Sequence, residues 1–155
     1  MTQERMRIAC ASGTDTFRMK PHVVAAVEAD FDVFSVTVDR SQKQVLKLHR
    51  PDAIFIDYDP ENTEQKGEFT GFMRMLTTHF PDIPVIIRTP VGDSQSRQKL
   101  LAYMPENVRG IINTDRAYEL IPGDIRRIME RAPSEGMMIV FGSPGPDVEN
   151  VSDSP

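Results

Sequence analysis

Five short apolar runs, each of strand length and separated by longer amphipathic or polar stretches, limit what this chain can fold into. They are Arg7–Ala11 (RIACA), Val33–Val38 (VFSVTV), Ala53–Ile56 (AIFI), Val85–Ile87 (VII) and the shorter Gly110–Ile112 (GII). The third and fourth are continuously apolar rather than alternating, which is the pattern of strands covered on both faces by helices. Strand-length runs alternating with helical ones predict βα units around a parallel sheet.

The intervening stretches carry helix signals of different kinds. Pro21 suits the first turn of a helix reaching about Ala29, because its missing N–H would have no intrahelical partner there. Ser41 with Gln44 reads as a capping box opening a helix through Leu48. Phe69, Phe72, Met73 and Leu76 recur at i, i+3, i+4 and i+7, so they predict one buried helical stripe. Asp93 or Ser94 is placed to cap a fourth helix carrying Leu100 and Leu101. Ile121, Ile125, Ile128 and Met129 mark a last one, which Pro122 starts or kinks.

Past Arg131 the character changes. Residues 1–131 read as one domain, 132–141 as an apolar C-terminal extension and 142–155 (GSPGPDVENVSDSP) as a flexible tail too rich in Gly, Pro, Ser and acid to pack. The run Met137–Phe141 is too apolar to stand free in water. It is expected to be buried, either as an added edge strand or against a second copy in a symmetric dimer.

Composition narrows the partners. Eighteen basic against 23 acidic residues leave a net charge of −5, which disfavours nucleic acid and anionic lipid. No apolar stretch reaches the length of a membrane span, and MTQERMRIAC lacks the apolar core of a signal peptide. The single cysteine, Cys10, lies inside an apolar run and is expected to be a buried, reduced thiol, which suits a cytoplasmic setting.

Chemistry in an open parallel sheet collects at the carboxyl ends of the strands. Those ends read Ser12-Gly13-Thr14-Asp15, Asp57-Tyr58-Asp59-Pro60, Arg88-Thr89-Pro90 and Asn113-Thr114-Asp115. The hydroxyl-rich Ser12–Thr16 loop has the make-up of a phosphate or flavin cradle, although Asp15 opposes an anion and no Trp is present to cover a flavin ring. His22, His49 and His79 fall on separate candidate helices at no metal-like spacing, and no G-x-S-x-G elbow occurs.

The segments HRPDAIFIDYDP (49–60), PDIPVIIRT (81–89) and VRGIINTD (108–115), taken in order, resemble the response-regulator receiver domain. The resemblance spans roughly residues 6 to 131. It implies a three-layer α/β sandwich with a five-stranded parallel sheet in the order 2-1-3-4-5, with Asp57 at the phosphoacceptor position and Thr89 at the switch position. It also places Asn113 or Thr114 where receivers carry a lysine, and Ala11-Ser12-Gly13 where they carry an acidic pair. Pro60 arrives one residue earlier than the proline receivers carry after that aspartate.

Those departures matter because phosphorylating a carboxylate brings two anions together. A divalent cation on carboxylate oxygens and an ammonium on the phosphoryl group must offset that repulsion. With both positions vacant, a degenerate receiver is expected, with no catalytic residue, no metal and no cofactor, Mg²⁺ included. Asp57 is expected to be bonded to backbone N–H groups at its strand end, and the Thr89 hydroxyl to cap the following turn. The expected function is phosphorylation-independent protein binding in a bacterial two-component-type pathway, with a histidine kinase, another receiver or an output protein as partner, or a second copy of the chain. Two other readings stand beside it. One is a working phosphotransfer receiver with Mg²⁺ on Asp57, Asp59 and Asp15; the other is a small-ligand binder using the Ser12–Thr16 loop. Receivers present their fourth helix, fifth strand and fifth helix to partners. That face would be Arg97–Tyr103, Arg109–Ile112 and Tyr118–Arg126, with Tyr103 and Tyr118 as aromatic anchors.

Overall fold

The computed structural model describes residues 5–12, 20–38, 40–58, 63–90 and 107–140. In chain order the elements are β1 (Arg7–Ser12), α1 (Pro21–Glu28), β2 (Asp32–Thr37), α2 (Lys43–His49), β3 (Ala53–Asp57), α3 (Thr63–His79), β4 (Val85–Thr89), β5 (Val108–Asn113), α4 (Ile121–Glu130) and β6 (Met138–Val140). All six strands are parallel and lie in one sheet in the order β2-β1-β3-β4-β5-β6. The order of the first five is the expected one. The count of five is corrected to six, because Met138, Ile139 and Val140 pair with Gly110, Ile111 and Ile112. The apolar run after the last helix is therefore buried on the domain itself, and Gly136, at φ 77, supplies the left-handed backbone at the turn into it.

Alternation along each strand sorts the core into two layers. Ala9, Ala11, Ile54, Ile56, Val85, Ile87, Ile111 and Ile139 point to the face covered by α2 and α3, where Leu46, Phe69, Phe72, Met73 and Leu76 meet them. The predicted stripe of α3 thus packs as one surface. Ile8, Cys10, Phe55, Ile86, Ile112, Met138 and Val140 point to the opposite face, against Val23 and Val27 of α1 and Ile121, Ile125 and Ile128 of α4. Strands β3 and β4 are buried at every residue, as their unbroken apolar sequences require.

Local chemistry explains most of the boundaries. Pro21 and Pro122 both sit in the first turn of their helices, where a missing N–H costs nothing. A 3-10 turn at Arg40–Gln42 precedes α2, so the helix opens one residue later than the expected Ser41 cap, with Gln42 at the N-cap position. Gly110 lies beneath α4 so closely that a Cβ there would overlap the side chain of Ile128. The proposed helix capped by Asp93 or Ser94 lies outside the described residues. Among the described residues no helix is long and apolar enough to cross a membrane.

Candidate functional site

Asp57 is the last residue of β3, and Arg88 is its register partner in β4. Alternation puts both side chains on the face shared with α1 and α4, two positions after Phe55 and Ile86 respectively. They meet there. Arg88 Nη1 donates to Asp57 Oδ1 at 3.0 Å and lies 3.4 Å from Oδ2, with the side chains only 6% and 4% exposed. The second guanidinium nitrogen, Nη2, donates to the Thr114 carbonyl at 2.9 Å, so Arg88 clamps the ends of β3 and β5 together. Its guanidinium carbon stands 6.0 Å from the centre of the Tyr118 ring, and that ring stands 5.9 Å from His22 on α1.

Electrostatically the pair is a compromise. Burial pushes the Asp57 carboxyl above its ordinary value, while the Arg88 charge, the Arg88 hydrogen bond and the charge of Lys20 act in the opposite direction. Beyond the expected bonding of Asp57 to backbone N–H groups, a side-chain cation from the neighbouring strand holds it, which the sequence reading did not foresee. Arg88 carried the signal that could have revealed this. A charged residue inside a strand buried on both faces needs an opposite charge within reach, and the adjacent strand ends in one.

Thr89 is fully buried, and its Oγ1 has no hydrogen-bond partner among the described residues. The turn that this hydroxyl was expected to cap lies outside the described residues. Asn113 is the register partner of Thr89, and its Oδ1 accepts a bond from Asp115 N at 3.4 Å. Thr114 joins the site by its backbone, donating its N–H to the Thr89 carbonyl at 3.2 Å and offering its own carbonyl to Arg88. Neither residue brings a charge to the lysine position. The cation at these strand ends arrives one strand earlier, from Arg88.

A second ion network, unread in the sequence, ties the turn after β5 to α4. Arg116 donates Nε to Asp124 Oδ2 and Nη2 to Oδ1, both at 2.9 Å, and Arg127 adds a bond to Oδ1 at 2.6 Å. Asp124 and Arg116 are both buried. Their separation in sequence matches no local motif; only the fold of the 3-10 turn Tyr118–Leu120 into α4 brings them together.

Other candidates are distributed as follows. Tyr118 is half-buried between His22 and Arg88 rather than standing free. The backbone of Gly110–Ile112, within the stretch expected to face partners, is paired with β6. His49 packs against Phe34 with ring centres 5.1 Å apart, and the three histidines lie on α1, α2 and α3. Among the described residues no group of three His, Cys, Asp or Glu side chains is arranged to hold a metal ion. Asp15, Asp59, Tyr103, the stretch Arg97–Tyr103 and the loop beyond Ser12 lie outside the described residues.

No protein-family model and no curated protein matches the sequence. Solved structures do match the fold. A response regulator from Thermotoga maritima aligns with a TM-score of 0.61 at 15% identity, over 82% of this chain and 99% of that one. The signal receiver domain of a signal transduction histidine kinase from Syntrophus aciditrophicus aligns at 0.57 and 19% identity, over 82% and 94%. A CheY-like protein from Pseudomonas aeruginosa PAO1 aligns at 0.58 and 13%, over 79% and 98%. The architecture is thus that of receiver domains.

Proposed function

We propose that this chain is a receiver-like signalling module that acts through protein–protein contacts without phosphorylation of Asp57. The observation that carries the reading is the buried Asp57–Arg88 pair. In aspartyl phosphorylation the carboxylate must be free to attack, and a divalent cation must share its oxygens with the incoming phosphoryl group. Here a guanidinium from the next strand stands against both oxygens and is anchored at its other end by Thr114. The charge that a metal would neutralise is already neutralised by the protein, so these residues do not fit Mg²⁺, and no step is derived through it. No lysine is present at Asn113 or Thr114 to hold phosphoryl oxygens.

The partner in this reading is a signalling protein such as a histidine kinase, another receiver or an output protein. The surface around Tyr118 and α4 is the candidate contact, since β6 closes the edge of β5. One observation favours the other reading, a working phosphoacceptor: the buried Thr89 hydroxyl, at the switch position, has no partner among the described residues and would gain one from a phosphoryl oxygen.

Acetyl phosphate with Mg²⁺, followed by intact-mass measurement, separates the two. No added phosphoryl mass is expected, and Asp57→Asn, measured at a temperature where this destabilised variant stays folded, should leave partner affinity unchanged. A stoichiometric adduct lost in Asp57→Asn would instead establish phosphotransfer.

A further inference from the structure

At the opposite end of the sheet from Asp57, where β4 and β5 begin, a cavity of about 520 Å³ opens between the α3–β4 turn and the last turn of α4. Its volume is that of an ordinary small-molecule site. Asn107 lines it. Asn107 is 7% exposed, yet neither its Nδ2 nor its Oδ1 has a hydrogen-bond partner among the described residues. Both halves of a buried carboxamide left unpaired are an expensive arrangement, since each orphaned group forfeits its hydration without compensation. The backbone of Asn107 cannot turn away to relieve it, because its carbonyl is fixed by Val85 N at 2.9 Å.

The rest of the lining sets the chemistry of what would relieve it. Pro81, Pro84, Ile128 and Met129 contribute apolar groups to the lining, which suits a ring. Arg109 is held across it by a bond from Nη2 to the Arg131 carbonyl at 3.1 Å. Arg131 lies at the same cavity with its Nη2 on the Glu135 carbonyl, and Asp82 is the acid in the lining. Glu135 Oε2 stands 3.9 Å from Arg131 Nε, so Arg109 is the lining cation with no carboxylate partner among the described residues. A carboxamide presents a donor and an acceptor side by side, which matches the paired donor–acceptor edge of a nucleobase; Asn reads adenine N6 and N7 in this way.

We propose that this cavity binds a small planar nitrogen heterocycle carrying an anionic group, with Asn107 reading its donor–acceptor edge and Arg109 facing the anion. The site is separate from Asp57 and stands whether or not Asp57 is ever phosphorylated. A phosphate and a carboxylate share the chemistry of the anion, and the probes distinguish them.

Titration of the full chain with adenosine monophosphate and with orotate, followed by amide shifts and calorimetry, tests the proposal. Adenosine and ribose 5-phosphate serve as the ring-only and anion-only arms. Saturable shifts around Asn107, Arg109 and Asp82 are expected with at least one of the two anionic heterocycles, and weaker binding with either partial arm. Asn107→Leu should keep the fold, with a melting temperature at or above that of the parent because the orphaned amide is gone, and should lose about tenfold or more in affinity. Should Asn107→Leu fail to fold, Arg109→Gln replaces it, with the same loss expected. The proposal is overturned if neither anionic heterocycle binds saturably, if the shifts map elsewhere, or if the variant binds like the parent.

Discussion

Arg88 and Asp57 are register partners on adjacent strands, and their side chains close on each other at 3.0 Å in a setting almost without solvent. Removing one partner of such a pair strands the other as a buried charge, at a cost of about 3–5 kcal/mol. Arg88→Met should therefore destabilise the fold strongly at neutral pH. The sign with pH follows from the raised Asp57 carboxyl. Between the ordinary carboxylate value and the raised one, the native state binds the proton more tightly than the unfolded state, so stability falls as pH rises through that window and levels off above it. Losing Arg88, which pulls the value down, widens the window upward. Urea unfolding at acid and neutral pH should show a larger loss for Arg88→Met at neutral pH, most of it recovered in Arg88→Met/Asp57→Asn. Equal losses at both pH values would mean that the carboxylate is not what Arg88 stabilises.

What could be read in advance, and what could not, divides between local and non-local information. The unbroken apolar runs AIFI and VII announce strands with helices on both faces, and the i, i+3, i+4, i+7 spacing from Phe69 to Leu76 announces the stripe of α3; both packed as written. Asp57 falls at a strand's carboxyl end because the apolar run stops there. Arg88 was given no role in the sequence because its direction depends on the register between β3 and β4, which no short window contains. Arg116 and Asp124 pair for the same kind of reason. In the case of Met138–Val140, burial was legible from hydropathy, whereas the choice between the chain's own sheet and a second copy turned on whether the edge of β5 lay within reach.

Cys10 lies on the same face of the sheet as Asp57, and its thiol is pushed up to about 12, foremost by burial and then by the charges of Glu28 and Asp57. Since the thiolate is the reactive form, the native thiol should be inert to iodoacetamide at pH 8 and react only through unfolding. Labelling followed by mass spectrometry should show a rate that rises with urea along the unfolding transition. Rapid labelling of the folded protein, with no urea dependence, would contradict this burial.

Gly110 leaves no room for a side chain beneath Ile128, where Cδ1, Cγ1 and Cγ2 all stand within the space a Cβ would take. Gly110→Ala should cost about 1–3 kcal/mol by overpacking. Ile128→Ala creates a cavity in the same place and is destabilising by itself. The two should compensate, so that the double variant loses less than the sum of the singles in a denaturation cycle. Strict additivity would show that the two positions are not in contact.

The sixth strand makes the firmest structural prediction, because it separates burial on the chain itself from burial in a dimer. Met138, Ile139 and Val140 are all buried, Ile139 towards α3 and the other two towards α1 and α4, so β6 is stitched into both core layers. Burial of three such side chains contributes on the order of 5 kcal/mol. Deleting residues 137–155 should lower the melting temperature and leave the N–H and C=O groups along β5 unpaired, an edge that invites association with other chains. Deleting residues 142–155 keeps β6 and should change neither property. Thermal melts combined with light scattering read both effects at once: the longer deletion should melt earlier and run heavier in solution. If it runs lighter than the parent, the run Met137–Phe141 holds a dimer together, and the pairing of β6 with β5 within one chain is not its principal role.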